Sequence, residues 1–373
     1  MRVIHIIPNL TNGGAERLTI DICNALLKKG NEVKLISFEN LNGYGKLIKN
    51  IDWVVLEEKS NLSFLRGYSP KAEKLQKIFD EFQPDIIHTH LFEAEIISRS
   101  CYYPKAKWFS HMHDNMPQLR NLSFHTLLNK KLLINFYEKQ WLLQRFSKNG
   151  GNNFIAISKD SYDYSKEVLP SGIRVNYLKN AIDYQKFYQK RDFSKEQKLK
   201  LINVGSFQPK KNQQFLIGVA NILKQKEIDF ELRFLGDGLL REEVQEKVRD
   251  LDLEKHVYFE GNVKNVSEYL KEANMYVHSA YYEPFGLVLL EAMAAGLPVV
   301  SLDGKGNRDI MTNEENGYIL YDQDPKIFFE QVFKLWEDKK LMNEISKNAN
   351  VFAKNYDIDS YVAKLIAIYR AAL

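Results

Sequence analysis

Short apolar runs alternate with segments of helical periodicity along nearly the whole chain. The first run, at 3–7, is rich in β-branched residues, and from 15 to 29 apolar positions recur at helical spacing before Gly30 ends the segment. Alternation of this kind predicts parallel sheets with helices on both faces. The first half of the chain is predicted to contain further strands at 33–38, 53–56, 85–89, 107–110, 154–157 and 175–178, and helices at 70–82, 91–101, 124–147 and 159–168.

A polar, highly charged stretch at 188–200 interrupts this rhythm, which then starts again. The chain has 373 residues, more than the roughly 250–300 at which a single core stops growing. We therefore predict an α/β fold of two Rossmann-like, doubly wound domains at 1–187 and 201–355, joined by a linker at 188–200. The C-terminal helix, 356–373, is a candidate to pack back on the first domain. The second half is predicted to contain strands at 200–204, 231–235, 257–260, 275–278, 298–301 and 317–320, and helices at 211–225, 239–250, 265–272, 286–295, 325–337 and 339–372.

Composition and charge argue against several classes of protein. Hydrophobic residues make up 45% of the chain and charged residues 27%, as in an ordinary folded protein. The net charge of +4 is too small to indicate nucleic acid as a partner, and no basic stripe supports one. Cys23 and Cys101 lack zinc-site spacing, so we expect buried free thiols in a reducing compartment. Without a run of ~20 apolar residues or a signal peptide, we expect a cytoplasmic protein, at most peripheral on the inner face of the membrane.

The most informative segment is EPFGLVLLEAMAAGLPVV, at 283–300. Glu291 is the only charged residue between Glu283 and Asp303, and it lies in an apolar helix pattern, where a carboxylate needs a partner. It is either a satisfied structural carboxylate or a ligand for two hydroxyl groups, as in a ribose. The helix start offers free backbone N–H groups to an anion at Phe285, Gly286, Leu287 and Val288. Such a helix end, with a carboxylate on either side, fits a nucleotide-sugar.

The same segment, with its two glutamates seven residues apart, resembles the E-x7-E signature of retaining GT-B glycosyltransferases, and most closely glycosyltransferase family 4. This resemblance covers essentially the whole chain and implies the GT-B fold, with two Rossmann-like domains facing each other across a cleft. It implies transfer of a sugar from a nucleotide-sugar donor, UDP-sugar by default, to a glycan or lipid-linked acceptor in polysaccharide or glycolipid biosynthesis. The donor is a co-substrate, and neither a metal nor another cofactor is expected. By this resemblance Glu283 is a catalytic residue that holds the sugar, and Glu291 binds the ribose.

The turn after the predicted strand at 200–204 resembles the family's diphosphate site. Gly205 and Lys211 match donor-binding positions, and Lys211 is also a catalytic candidate, but Ser206 replaces the family's arginine. The candidate substitutes for the missing charge are Lys210, Arg17 and Arg308. Gly236, in a GDG turn, resembles the family's turn near the nucleotide. Apart from the resemblance, Lys211 would be an ordinary solvated lysine and GDG only a tight turn.

In the first domain, the loop NLTNGGAER joins the first strand to the first helix. It does not match GxGxxG, so a dinucleotide fingerprint is absent. It resembles the family's GGAER loop, in which Gly14 would approach the donor phosphate and Gly13 the acceptor side. Glu16 is better explained as a first-turn charge that complements the helix dipole.

Two histidine-rich segments, HTH and HMHDN, follow predicted strands, where sites form in such sheets. A single histidine there is more often structural. In the family, however, a functional histidine follows this strand; His113 matches it best as a catalytic residue, and His111 is the rival on the acceptor side. Ser158 and Asn180 also match acceptor-side positions, although the family's Asn-Gly is Asn180-Ala181 here.

Several alternatives stay open. Asp322 and Asp324 spell the DxD metal motif of another transferase fold, but Pro325 follows, so a helix cap explains them better. The segment 120–148 mixes aromatic and basic residues, which fits either an amphipathic membrane-facing helix or a core helix with a solvated basic face. The rival functions are a sugar-nucleotide epimerase of the same architecture and a non-catalytic glycan- or lipid-binding homologue. Ser206 in place of the arginine gives the second some weight.

Overall fold

Two compact units make up the described part of the chain. The computed structural model describes residues 1–57, 72–121 and 129–373. The first unit consists of Met1–Asn180 together with Ile358–Leu373, and the second of Ala181–Asp357. This division differs from the predicted boundary at 187 and the linker at 188–200. The polar stretch packs within the second unit, because Phe193 and Leu199 anchor it in that unit's core.

A parallel β-sheet forms the centre of the first unit. Its strands in the described residues are β1 (Arg2–Ile7), β2 (Glu32–Ser37), β3 (Asp52–Val55), β4 (Ile86–His90), β5 (Lys107–Met112), β6 (Asn153–Ala156) and β7 (Arg174–Tyr177). They pair in the order β3-β2-β1-β4-β5-β6-β7. Both faces of β1, β4 and β5 are buried, as expected for a parallel sheet covered by helices.

The helices of the first unit connect these strands. They are α1 (Gly14–Lys28), α2 (Glu73–Phe82), α3 (Leu91–Ser98), α4 (Lys130–Lys148) and α5 (Lys159–Val168). The starts predicted for the second and fourth of them fall on residues 70–71 and 124–128, which lie outside the described residues. In the structure α4 starts at Lys130, where the side chain of Asn129 accepts hydrogen bonds from two backbone N–H groups of the first turn.

The second unit repeats the plan. Its strands are β8 (Leu199–Val204), β9 (Phe230–Leu235), β10 (Val257–Gly261), β11 (Met275–His278), β12 (Val299–Leu302) and β13 (Tyr318–Leu320). They form a parallel sheet in the order β10-β9-β8-β11-β12-β13. Its helices are α6 (Tyr184–Phe187), α7 (Gln213–Gln225), α8 (Arg241–Asp250), α9 (Val266–Glu272), α10 (Leu287–Ala294), α11 (Pro325–Glu337) and α12 (Lys339–Ala353). Every predicted strand of both units is confirmed, with ends shifted by at most two residues.

The predicted continuous helix at 339–372 is wrong in one respect, because the segment forms two helices. After α12 the chain makes a short 3-10 turn and an extended residue, Asp357, before α13 (Ile358–Arg370). Asp357 forms an isolated bridge with Ile182, which ends the helical path. α13 belongs to the first unit and packs against α1.

The strand order identifies where ligands should bind. In the first sheet the order reverses between β1 and β4, and in the second between β8 and β11. Ligands of doubly wound sheets bind outside the carboxyl ends of the strands at such a reversal. The residues that follow these four strands are therefore the natural candidates for function.

Candidate functional site

Glu283 lies in a cluster of charged and polar side chains beyond the end of β11. Its Oε2 atom is 2.5 Å from the Lys211 ammonium nitrogen and 3.3 Å from Nε2 of His278. Glu283 is 8% exposed, so water screens these charges only weakly. Ser279 contributes to the arrangement because its hydroxyl donates to the backbone oxygen of Lys211 at 2.8 Å. The two catalytic candidates of the second unit thus lie side by side.

The neighbours of Glu283 keep it ionised. Burial alone would raise the pKa of its carboxyl group, but the charge of Lys211 and the His278 ring outweigh burial and hold that pKa well below its usual value. Such a carboxylate carries no proton to release near neutral pH, so it is poorly suited to act as a general acid. It can accept hydrogen bonds from sugar hydroxyl groups or stabilise a nearby positive charge.

A glycine-rich loop fixes the backbone of Glu283. The N–H of Glu283 donates to the Gly304 oxygen at 2.8 Å, and the N–H of Gly306 donates to the Glu283 oxygen at 3.1 Å. A Cβ atom on Gly306 would lie 2.1 Å from the carbonyl oxygen of Pro284, so a larger residue would displace this segment. Asn307 is fully buried, and its side chain ties the loop to β12. The loop therefore positions Glu283, and the Asn307 amide is engaged in that task.

The start of α10 presents an open face. Gly286 precedes the helix with φ of 98°, a conformation that favours glycine. Leu287, Val288 and Glu291 are half-buried, and Glu291 lies one turn after the other two, whereas the remaining residues of the helix are buried. Glu291 is therefore more accessible than its apolar sequence context suggests. Phe285 buries its ring, which leaves its backbone as the part able to meet a ligand.

The turns after β8 and β9 pack backbone against backbone. A Cβ atom on Gly236 would lie 2.2 Å from the Gly205 oxygen, and its φ of +132° also favours glycine. The Lys211 side chain passes 3.8 Å from the Cβ position of Gly205. Ser206 is half-buried, and its carbonyl oxygen accepts a hydrogen bond from buried Gln213 at 3.0 Å. The structure thus brings four of the predicted donor-binding residues together.

The structure distinguishes the candidate substitutes for the arginine absent at position 206. Arg308 already pairs with Asp303, with its Nε atom 2.8 Å from a carboxylate oxygen. Arg17 lies in the first unit and pairs with an aspartate four residues further along α1. Lys210 lies in the same short 3-10 turn as Lys211. Within the second unit, Lys210 therefore adds positive charge beside Lys211, whereas Arg308 is already paired.

Five histidines form a buried cluster on one face of the first sheet. His5 in β1 is the register partner of His88 in β4, and His90 at the end of β4 is the partner of His111 in β5. His113 follows β5 and is half-buried, whereas the other four have no exposed surface. Adjacent rings lie 4.2–5.2 Å apart between centroids. Side chains two residues apart on a strand share a face, which explains how HTH and HMHDN come to contribute to one cluster.

These histidines are neutral at pH 7. Burial lowers the pKa of every ring in the cluster, and repulsion between the rings adds to the effect for most of them. For His5 and His111 the pKa falls to about 3. The Asn180 side chain faces His111 and offsets part of the effect of burial. Each ring therefore offers one N–H donor and one nitrogen acceptor.

The loop after β1 is held by a tyrosine. The hydroxyl of Tyr44 accepts a hydrogen bond from the Gly13 N–H at 2.9 Å and donates to the Gly13 oxygen at 2.5 Å. Gly14 is exposed and begins α1. Its contact with a donor phosphate stays a prediction. Glu16 lies in the first turn, and burial raises the pKa of its carboxyl group.

The two remaining acceptor-side candidates differ in their surroundings. Ser158 is fully buried and caps α5, because its hydroxyl accepts from the Ser161 N–H at 3.2 Å. This role explains the residue without a ligand, so we leave Ser158 out of the proposed site. Asn180 is 3% exposed and stays beside the histidine cluster.

A groove of about 320 Å³ lies at the reversal point of the first sheet. It runs along the ends of β1, β4 and β5, where the fold predicts a ligand. Its lining is polar and acidic, which suits a ligand rich in hydroxyl groups. The lining residues are Pro8, Asn9, Thr11, Glu16, Leu91, Phe92, Glu93, Asp114 and Gln118.

Two parts of the chain carry residue types that can bind a metal ion. Asp324 caps α11 by accepting from the Lys326 N–H at 2.8 Å, which confirms the cap predicted for the DxD segment. In the described residues, the triplets His5/His88/His90 and His90/His111/His113 have ring nitrogens within 4.8 Å of one another and could reach a metal ion. However, an imidazole lone pair lies in the plane of its ring, and the rings of His111 and His113, and of His88 and His90, are stacked at 11° and 20° from parallel. The lone pairs of each stacked pair therefore lie in two separate planes and do not converge well on one ion. A hydrogen-bonded cluster explains this geometry better than a metal centre.

Sequence reasoning missed His5 and His278, and it gave no role to His88 and His90 of the HTH segment, although the structure brings all four into these clusters. His5 and His278 stand alone in apolar strands, and His88 and His90 share one face of β4. A signal was available, since a histidine within a buried strand must find a hydrogen-bonding partner. Both cysteines are buried free thiols, as predicted.

The helix α4 carries a mixed surface. In its first half Lys130 and Lys131 are exposed, Phe136 is half-buried and Tyr137 is 54% exposed. The expected basic face is wrong for Lys139, which is buried and donates to the backbone oxygen of Val168 at 2.5 Å. Residues 122–128 of the predicted amphipathic segment lie outside the described residues. No helix in the described ranges is both long and apolar enough to cross a membrane.

The fold matches solved structures over its whole length. A structure of Anabaena Alr3699/HepE in complex with UDP and glucose covers 100% of both chains with a TM-score of 0.80 and 20% identity. WaaG, a glycosyltransferase involved in lipopolysaccharide biosynthesis, covers 98% of this chain and 99% of its own, with a TM-score of 0.73 and 19% identity. The two doubly wound units therefore define a GT-B fold.

Family models place the chain within that class. The model of Glycosyltransferase Family 4 matches residues 12–186, and the model of Glycosyl transferases group 1 matches residues 185–352. The putative glycosyltransferase EpsD of Bacillus subtilis is 24% identical over 361 residues, 88% of this chain and 92% of its own. The chain belongs to glycosyltransferase family 4 and is a glycosyltransferase.

One further relative has a named substrate. The UDP-Gal:alpha-D-GlcNAc-diphosphoundecaprenol alpha-1,3-galactosyltransferase of Escherichia coli is 22% identical over 309 residues, 79% of this chain and 77% of its own.

Proposed function

We propose that the protein transfers a sugar from a UDP-sugar, with retention of anomeric configuration and without a metal ion, to a lipid-linked or glycan acceptor. The observation that carries the proposal is the shielded Glu283–Lys211 pair beside the open start of α10. A cation, free helix N–H groups and an ionised carboxylate are the groups that a sugar diphosphate requires. The UDP complex of Alr3699/HepE and the diphosphoundecaprenol acceptor of the E. coli relative support the choice of donor and acceptor.

Each group has one role in this scheme. The Lys211 ammonium leaves Glu283 for the donor diphosphate, where the N–H groups of Leu287 and Val288 also bind, and Glu291 accepts the ribose hydroxyls. Glu283 accepts hydroxyls of the transferred sugar and stabilises positive charge at its anomeric carbon. This arrangement places fixed charges where the transition state develops charge.

The chemical step balances without a cofactor. The bond between the anomeric carbon and the phosphate oxygen breaks, and its electron pair stays on the phosphate. The acceptor oxygen bonds to the anomeric carbon from the same face, and its proton moves to the departing phosphate. Because Glu283 is ionised, it also has the form of a nucleophile, so attack by its carboxylate is the alternative route to retention.

The test is a panel of nucleotide-sugars, each incubated with undecaprenyl-diphosphate-linked acceptors in the presence of a metal chelator. Glu283→Gln and Lys211→Met should each lower product formation by about a hundredfold or more, because each removes a charge that the transition state uses. Lys226→Met is the matched control, since this exposed lysine lies at the far end of α7, about 20 Å away.

The outcomes separate the rival functions. Wild-type turnover in both Glu283→Gln and Lys211→Met would refute the assignment of these residues to the active site. Conversion of the donor without an acceptor and without release of nucleoside diphosphate would identify an epimerase. Binding of donor without either reaction would identify a non-catalytic homologue.

We also propose that the first half of α4 contacts the membrane that holds a lipid-linked acceptor. Two exposed lysines beside half-buried and exposed aromatic residues are typical of an interfacial helix. In vesicle sedimentation, Lys130→Glu with Lys131→Glu should weaken binding to anionic vesicles. Lys148→Glu, at the other end of the helix, is the control and should leave binding unchanged. Equal sedimentation of both variants would contradict this proposal.

A further inference from the structure

Three of the clustered histidines form a hydrogen-bonded row. Nδ1 of His5 lies 2.8 Å from Nε2 of His90, and Nδ1 of His90 lies 2.9 Å from Nε2 of His113. His88 and His111 lie beside the row, with rings stacked on His90 and His113 at centroid distances of 4.6 and 4.2 Å. The row leads from the buried interior of the sheet to the half-buried ring of His113.

Hydrogen bonding couples the tautomers of these rings. A neutral imidazole has one N–H donor and one bare nitrogen acceptor, and His90 uses both of its nitrogens in the row. If His5 donates from Nδ1, His90 must donate from Nδ1 as well, and His113 then carries its proton on Nδ1. If His113 donates from Nε2, the protons of all three rings lie on Nε2, and Nδ1 of His113 is bare.

The buried end of the row favours the first arrangement. Nε2 of His5 is fully buried and has no hydrogen-bond partner among the described residues. In the second arrangement this atom would be a buried N–H donor without an acceptor. In the first it is only an unused acceptor, and unpaired buried donors are rarer in proteins than under-used acceptors.

We propose that this row holds His113 as a neutral ring with its proton on Nδ1, so that His113 acts as a hydrogen-bond donor and not as a base. His90 is the positioning residue, because it occupies Nε2 of His113 and leaves Nδ1–H to meet a substrate oxygen. A neutral donor suits a hydroxyl or phosphate oxygen that gains negative charge during sugar transfer. The role toward substrate depends on the proposed function, whereas the tautomer does not.

Nuclear magnetic resonance of the full chain with ¹⁵N-labelled histidine tests the tautomer without any substrate. Long-range ¹⁵N–¹H correlation reports which ring nitrogen carries the proton. In the wild type we expect His113 to be protonated on Nδ1. In His90→Phe, Nε2 of His113 loses its donor, and the single tautomer should be lost. In His5→Phe, the Nδ1 tautomer of His113 should persist. Nε2 of His90 then becomes the buried nitrogen without a partner, and for the same reason it should stay a bare acceptor and leave the His90 proton on Nδ1.

His88→Phe is the matched control, since it makes the same replacement on the same strand outside the row and should leave the His113 tautomer unchanged. A wild-type His113 protonated on Nε2 would overturn the proposal, whether or not the variants fold. An unchanged His113 in His90→Phe would also overturn it. Tight retention of a stoichiometric zinc ion by the wild type, lost in His90→Phe, would do so too by showing a metal site instead.

A second measurement connects the tautomer to turnover. His113→Leu should lower kcat by about a hundredfold, the usual effect of removing one such donor. His113→Asn should recover part of the loss, because its amide places an N–H near the position of Nδ1. Recovery by His113→Asp instead, which offers only acceptors at neutral pH, would overturn the donor role. If His113→Leu keeps the wild-type kcat while the wild-type tautomer is as expected, the donor role of His113 toward substrate fails, and the row and the proposed function stand. If the wild type transfers no sugar while the tautomer is as expected, the proposed function fails and the row stands.

Discussion

At the scale of single residues, Glu283 depends on neighbours that have no reactive groups of their own. Gly304 accepts a hydrogen bond from the Glu283 N–H, and Gly306 donates one to the Glu283 carbonyl oxygen. Glu283 and Pro284 occupy the space that a Cβ atom on either glycine would need. A substitution at Gly304 or Gly306 should therefore shift the Glu283 carboxylate, although neither glycine contacts that carboxylate through a reactive group.

Gly306→Ala should reduce both stability and transfer. The added methyl group would lie 2.1 Å from the Pro284 oxygen, so the loop and Glu283 must separate. We expect a loss of about 1–3 kcal/mol in unfolding free energy, as for other overpacked sites, and at least a tenfold loss of turnover. Denaturant titration and the donor-release assay measure the two effects.

Gly172→Ala is the control, because a Cβ atom there meets nothing within 4 Å. It should leave stability and activity close to those of the wild type. Wild-type behaviour of Gly306→Ala would show that the loop adapts and that Glu283 is not positioned by it.

At this scale the sequence predicts residues whose motifs are contiguous. Glu283 and Lys211 are predicted because each stands in a recognisable turn or helix start. His278 is not predicted, because its role depends on the Glu283 carboxylate, which only the fold brings to within 3.3 Å of it. Ser158 differs again, since its hydroxyl caps α5 and its predicted acceptor-side role stays a prediction.

At the scale of elements, the inner face of the first sheet is unusual because adjacent strands present imidazoles where apolar side chains normally pack. The α13 helix helps to cover this face, and the Tyr369 hydroxyl bonds to Nδ1 of His88 at 2.5 Å. Neutral rings tolerate this environment, whereas charged ones would not.

The first unit should therefore be sensitive to acid. All five histidines have a pKa in the folded state below the ordinary value of 6.5, so their contribution to stability is present above pH 6.5. It is lost as the pH falls below 6.5 toward the folded-state values, because the unfolded chain binds more protons. The slope should reach at most about 1.4 kcal/mol per pH unit for each histidine.

Tryptophan fluorescence can follow this unfolding, because Trp53, Trp108 and Trp141 all belong to the first unit. The His111→Phe variant should flatten the dependence and raise stability at pH 5, since neither ring nitrogen of His111 makes a normal hydrogen bond in the described structure. Equal slopes for wild type and variant between pH 7 and 5 would contradict the argument.

Periodicity predicts these elements well because buried strands and amphipathic helices have different repeats. It failed at the end of α12, where the apolar spacing continues on both sides of Asp357 but the two helices pack in different units. Helical spacing reports that a face is buried, but not which surface buries it.

At the scale of the whole molecule, the last helix of the chain completes the first unit. The chain leaves that unit after Asn180 and returns at Ile358. Ile182 and Asp357 lie at these two crossings and form a bridge, so the exit and return points are adjacent. The second unit is therefore a continuous insertion into the first, and α13, which completes the first unit, is the last element of the chain to be synthesised.

This arrangement predicts how fragments behave. The fragment 181–357 should fold alone, because it holds its sheet, helices and core. The fragment 1–180 should be unstable, because it exposes the apolar surface of α1 and leaves buried His88 without Tyr369. Joining 1–180 to 358–373 through a few glycine and serine residues should restore a cooperative transition, measured by circular dichroism. A stable 1–180 fragment, or a joined chain that stays unfolded, would show that α13 is not an integral part of the first unit.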